Sequence, residues 1–79
     1  MAFVKSIERS KRRSLRLQPT QVSCQYTVDR VDSGSKVFQL DSLGSSSRQE
    51  LGQVSQTLQF DEKQARELWN VLGREFGFA

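Results

Sequence analysis

Residues 54–60 alternate between apolar and polar side chains, and at residue 61 that alternation gives way to a different period. Val54, Leu58 and Phe60 fall on one side of an extended chain while Ser55, Thr57 and Gln59 fall on the other, the period of two that marks a half-buried strand. From Asp61 onward Ala65, Leu68, Trp69, Leu72 and Phe76 recur at steps of three and four, the stripe of an amphipathic helix. Asp61 suits the junction because a carboxylate there accepts from the backbone N–H groups of Lys63 or Gln64, with Gln64 at the third helical position as in a capping box. The helix has two candidate ends, Gly73 and Gly77, each able to adopt a left-handed cap. Gly77 is favoured, since Phe76 then extends the stripe and Arg74 sits near the negative end of the helix dipole.

A strand that runs straight into a terminal helix needs further strands to pair with. Residues 22–31 supply the longest: Val22, Cys24, Tyr26 and Val28 alternate with Ser23, Gln25, Thr27 and Asp29, rich in β-branched and aromatic types. Asp32, Ser33, Gly34 and Ser35 form a turn with Gly34 at the positive-φ position. Residues 36–43 continue with Phe38 and Leu40 on one face and Gln39 and Asp41 on the other, so the two strands pair antiparallel. Residues 14–18, with Leu15 and Leu17 flanking Arg16, are a candidate edge strand that Pro19 ends. The expected fold is α+β: a three- or four-stranded antiparallel sheet with one C-terminal helix packed on one face. Its inward set is Val22, Cys24, Tyr26, Val28, Phe38, Leu40, Val54, Leu58 and Phe60, against Ala65, Leu68, Trp69, Leu72 and Phe76.

At 79 residues the chain holds one small domain, too small to bury a generous core alone. Dimerisation is the cheapest remedy, and a homodimer is expected. There is one cysteine and no histidine, which removes disulfide stapling, histidine acid–base chemistry and ordinary zinc sites. Phe3, Val4 and Ile7 are too few for a signal-peptide core, and no run approaches the roughly 18 residues of a membrane span. The expectation is a soluble, cytoplasmic protein without cofactor or membrane partner.

The formal charge of +3 is unevenly spread. Lys5, Arg9, Lys11, Arg12, Arg13 and Arg16 face Glu8 alone within the first 18 residues, whereas acids outnumber cations in the rest. The chain thus divides into a flexible basic arm, residues 1–14, and a single small sheet-and-helix domain, residues 15–79. Such an arm is an electrostatic footprint for phosphates, although a solubilising tail carries the same pattern.

Nothing in the sequence assembles a reaction centre. Cys24 has no histidine to activate it and reads as core packing. Asp29, Asp32 and Asp41 lack the dense oxygen spacing of a calcium loop and read as solubility charges. Trp69 reads as a core anchor, or as an interface hot spot if its edge is exposed at a dimer seam. With no nucleophile, base and oxyanion site in one pattern, the chain reads as non-enzymatic and without a metal.

Two surfaces remain for binding. The far side of the sheet, Ser23, Gln25, Thr27, Gln39, Asp41, Ser55, Thr57 and Gln59, is polar and either simply solvated or a recognition face. Residues 44–52, rich in Ser and Gly beside Arg48, are a flexible linker or an anion-binding concavity. A strand, turn, strand, Ser/Arg loop and then Gly52-Gln53-Val54-Ser55-Gln56-Thr57-Leu58-Gln59-Phe60-Asp61 entering a terminal helix resembles the strand-strand-strand-helix modules of the positive-cofactor-four-like family. The resemblance spans about residues 22–76 and implies a dimer that binds single-stranded nucleic acid on a curved antiparallel sheet. The chain departs from it in having no aromatic on the polar face, where single-strand platforms stack bases. The stretch from Leu40 to the helix also resembles small uncharacterised bacterial or phage proteins, which imply no activity.

The first expectation is therefore a nucleic-acid-binding module. Its contacts would be Lys5, Arg9, Lys11, Arg12, Arg13, Arg16, Lys36 and Arg48 on phosphates, with Gln25, Thr27 and Gln59 on the sheet. The alternative is a protein-interaction or inhibitor module that uses the polar face, or a sheet edge, for strand addition.

Overall fold

The computed structural model describes residues 1–12, 14–32, 34–44 and 54–78. Arg13, Arg48 and residues 45–52 of the Ser/Gly stretch lie outside the described residues. Four strands and one helix follow in order: β1 (Ala2–Phe3), β2 (Cys24–Val31), β3 (Ser35–Leu43), β4 (Val54–Phe60) and α1 (Glu62–Phe76). The fold is α+β, a single sheet in the order β1-β4-β3-β2 with the helix at the C-terminal end.

The hairpin forms as its sequence requires. β2 and β3 pair antiparallel from Cys24 opposite Ser42 to Val31 opposite Ser35. The turn closes through Gly34 N–H donating to Val31 O at 2.7 Å, with Gly34 at φ 91°, a conformation that only a residue without Cβ adopts freely. Asp32 also takes positive φ, 36°, a tolerance that Asp shares with Asn. The Arg30 guanidinium then reaches across the turn and donates to Gly34 O at 2.7 Å.

β4 runs antiparallel to β3, with Phe38 opposite Phe60 and Asp41 opposite Thr57. A bulge interrupts this ladder: Ser42 faces Gln56 but Leu43 faces Val54, leaving Ser55 as the extra residue. Val54 is thereby registered with Leu43, which shares the face of Gln39 and Asp41, and so parts from Leu58 and Phe60, with which strict alternation groups it.

The fourth strand is not the expected one. Leu15 and Leu17 are almost wholly exposed and residues 14–18 form no strand. Two apolar residues separated by Arg16 offer too little to bury. Instead Ala2 and Phe3 pair parallel with Leu58 and Gln59, and Val4 N–H donates to Gln59 O at 2.8 Å. The run Ala2-Phe3-Val4 is uninterrupted by charge, which suits it to the outer edge of β4. The sheet is therefore mixed rather than wholly antiparallel, and the segment expected to be a mobile arm begins as a strand.

The helix has the expected ends. Asp61 is extended (φ −80°, ψ 179°) and its carboxylate accepts from Gln64 N–H at 2.8 Å. At the other end Gly77 adopts φ 72°, and the N–H groups of Gly77 and Phe78 both turn back to Gly73 O, satisfying a carbonyl that would otherwise be orphaned. Phe78 stacks on Phe76 with ring centroids 5.6 Å apart.

Burial departs most from expectation. The helix packs beside β3 and β4, and its inner side is Gln64, Leu68 and Val71, not the full apolar stripe. Trp69, Leu72 and Phe76 are exposed. At 3.6 residues per turn Leu72 lies about a quarter turn from the inner side, and Phe76 and Trp69 about a third of a turn, with Ala65 half-buried between. On the sheet, Phe60 is the sole buried hydrophobic among the described residues, 6% exposed, packed against Phe38 at 6.0 Å. Val22, Cys24, Tyr26, Val28, Val54 and Leu58, all expected inside, are exposed. β2 is an edge strand that the helix does not reach, which is why its alternating apolar residues stay in water.

Removing the cap tests the junction. Asp61→Ala should lose about 1 kcal/mol and Asp61→Asn much less, because Asn caps almost as well. Urea unfolding followed by circular dichroism checks this; equal midpoints for the Ala variant and the parent would mean that the cap contributes nothing.

Candidate nucleic-acid interface

Antiparallel pairing places opposite residues on the same face, so the register sorts the candidate residues. Gln25 faces Asp41, Thr27 faces Gln39, and Gln39 faces Gln59, so Gln25, Thr27 and Gln59 share the polar face. Lys36 faces Arg30, next to Val28 opposite Phe38 and Tyr26 opposite Leu40. Lys36 is therefore on the other, apolar face, and the expected constellation is not gathered on one side of the sheet.

The polar face is largely committed to itself. Thr57 Oγ1 donates to Asp41 Oδ1 at 2.6 Å, Gln39 Nε2 donates to Asp41 Oδ1 and Oδ2 at 3.2 and 3.3 Å, and Gln59 Nε2 donates to Gln39 Oε1 at 2.8 Å. Asp41 and Thr57 are buried, Thr57 at 6% exposure, with Gln39 and Gln59 half-buried. Gln59 thus spends one of its amide donors inside the protein. Gln25 and Thr27, on the outer strand, remain exposed. The reading of Asp41 as a solubility charge is replaced by that of a buried acceptor that ties β3 to β4.

The apolar face carries an exposed ring that the alternation had assigned to the core. Tyr26 is 70% exposed and stacks on Phe38 at 5.5 Å with the planes 20° apart. Phe38 in turn leans on Phe60, so the tyrosine rests on an aromatic support while its outer side faces solvent. Arg30 and Lys36 stand one register step beyond Val28 and Phe38 on the same face. A groove of about 210 Å³ continues from there, lined by Val28, Lys36, Phe38, Phe60, Asp61, Glu62 and Ala65. The signal was present in the alternation of residues 22–31; what the sequence did not reveal is that the helix stops short of β2.

The basic segment keeps its cations outside. Lys5, Arg9, Lys11, Arg12 and Arg16 are all exposed. Arg9 donates to Glu75 Oε2 at 3.0 Å, bringing the segment to the C-terminal end of the helix; an exposed pair of this kind stabilises by less than about 1 kcal/mol and leaves Arg9 exchangeable. Among the described residues no cluster of Cys, Asp and Glu is placed to hold a metal ion, and no helix is long and apolar enough to cross a membrane.

No protein-family model matches this chain, and no curated protein or solved structure does either. What the chain does has to be read from its own residues.

The two faces respond differently to substitution. Thr57→Val removes a donor from a buried carboxylate and should destabilise by about 1–3 kcal/mol, whereas Gln25→Ala, at an exposed position, should stay within about 0.5 kcal/mol. Chemical denaturation distinguishes them. Equal small effects would mean that the Thr57–Asp41 bond carries no stability.

Proposed function

We propose that this chain is a small, non-enzymatic module that binds single-stranded nucleic acid, in the manner of the positive-cofactor-four-like modules that its element order resembles. The observation that carries the reading is Tyr26: a ring 70% exposed, seated on Phe38, on the face that also bears Arg30 and Lys36. An exposed ring on a rigid support offers a base a stacking surface, and adjacent cations offer its phosphates a counter-charge. Lys5, Arg9, Lys11, Arg12 and Arg16 extend the positive surface along the N-terminal segment. In this reading the interface is the aromatic face rather than the polar one, so Gln59 and its ladder act as scaffold.

A second reading, strand addition by a protein partner, has one observation in its favour. β2 is an edge strand of eight residues, all exposed. Against it, the Arg30 N–H is already bonded to Asp29 Oδ1 at 2.8 Å, which occupies a donor that an added strand would use.

Fluorescence anisotropy with labelled single- and double-stranded oligonucleotides separates the two. The nucleic-acid reading predicts binding that weakens steeply with salt. Tyr26→Ala should reduce single-strand affinity by about 5- to 150-fold, the equivalent of about 1–3 kcal/mol of stacking. Replacing Lys11, Arg12 and Arg16 together by Gln should lower the salt slope by about 2. Absence of salt-sensitive binding at micromolar protein would overturn the proposal.

A further inference from the structure

We infer that the groove between the first turn of α1 and the aromatic face of the sheet holds one nucleobase bearing an exocyclic amino group, and that the Glu62 carboxylate reads that group. The inference rests on the nucleic-acid reading above and adds to it a second base position and a base preference.

The shape of the groove comes first. Its floor is Phe60, which is buried, and Phe38, which is half-buried, with ring centroids 6.0 Å apart and planes inclined at 59°. Two aromatic rings are thus held in place with one side open. Ala65 lines the helix side, and a methyl group is too short to close the gap. A gap of this kind forfeits dispersion contacts along its open side; a flat ring placed in it restores them. The volume is about 210 Å³, below the roughly 300–1,000 Å³ of pockets that enclose a drug-sized ligand. The groove therefore suits a single ring system whose backbone stays outside.

Continuity and charge select the occupant. Phe38 serves twice, as the support of Tyr26 at 5.5 Å and as part of the groove floor. A strand with one base on Tyr26 accordingly has the neighbouring base at the mouth of the groove. Lys36 lines the groove and is exposed, so its ammonium can meet the phosphate between the two bases. The Arg30 guanidinium, opposite Lys36 in the ladder, is turned to Gly34 O. The other charged groups at the groove are two carboxylates, Asp61 and Glu62. Asp61 gives one oxygen to the Gln64 N–H. Glu62 is exposed, and among the described residues its carboxylate has neither a hydrogen bond nor an ion pair.

An ionised carboxylate accepts hydrogen bonds and donates none. It favours a base edge that donates, as cytosine does through its N4 amino group, and disfavours the O4 carbonyl that thymine and uracil carry at the same place. The two acids also repel phosphate, which leaves the groove to the neutral ring and the backbone to Lys36.

Oligomers of deoxycytidine and deoxyuridine, equal in length and ring size, isolate this contact in anisotropy titrations of the full chain. The deoxycytidine oligomer should bind about 5-fold more tightly or better, the lower end of what one such base contact discriminates. Glu62→Gln, whose amide both donates and accepts, should bring the two affinities together. Ala65→Leu fills the groove with another strong helix former and should abolish the preference while stacking on Tyr26 persists. Equal affinity of the parent chain for the two oligomers would overturn the inference and leave the proposed function standing. A preference that survives both substitutions would also overturn it, since the base is then read elsewhere. If neither oligomer binds, the proposed function falls, and amide NMR titrations with cytidine and uridine decide about the groove. Shifts at Glu62 and Ala65 with cytidine and not with uridine support it; equal shifts, or none, overturn it.

Discussion

The hydrogen-bonded run from Gln59 through Gln39 to Asp41, completed by Thr57, is the interaction on which the sheet depends. It links two of the register pairs of the β3–β4 ladder, Gln39 opposite Gln59 and Asp41 opposite Thr57, in the central seam of four strands. With Phe60 the sole buried hydrophobic among the described residues, apolar packing alone would specify the register weakly. A slip of β4 by one residue would send Thr57 and Gln59 to the opposite face, take the Thr57 hydroxyl from Asp41 and leave a buried carboxylate short of a donor. Such a loss costs more than the net gain of any one hydrogen bond, so the polar network selects a register even where it adds little stability. Among the described residues no buried side-chain polar atom lacks a partner, as that role requires.

Apolar surface that the seam does not need is left outside in two places. On the sheet, β2 lies beyond the helix and presents Tyr26 on its Phe38 support. On the helix, the rotation about its axis that seats Gln64 inward leaves Trp69 and Phe76 outward. Both are aromatic, but their settings differ. Tyr26 rests on Phe38, with Arg30 and Lys36 two pairs further along the same face, while Trp69 stands next to Gly73 at a recess of the helix surface.

Local chemistry was legible in the sequence. The change of period at Asp61, the cap on Gln64 N–H, the end at Gly77 and the positive φ of Gly34 all follow from residue types acting on their immediate backbone. The hairpin of β2 and β3 follows from alternation. What alternation does not reveal is which of two faces is covered: it groups Tyr26 with Phe38 and Thr57 with Gln59 without saying which group meets water. Thus Cys24, Tyr26, Val28 and Leu58 were assigned to a core that the helix does not provide. β1 leaves no mark in the sequence because two residues carry no periodicity, and its place is set by the edge of β4, a tertiary partner. The bulge at Ser55 depends on a mismatch between strands, which neither strand encodes alone. The candidate binding residues divided between faces for the same reason: charge and polarity mark a residue as exposed without fixing its side.

The side-chain amides of the ladder provide the most direct test of this arrangement. In a water-exchange NMR experiment on the full chain, the Nε2 protons of Gln39 and Gln59 should exchange far more slowly than those of Gln25, because the former are half-buried donors in the β3–β4 ladder and Gln25 stands in water on the outer strand. Indistinguishable exchange at all three residues would contradict the account.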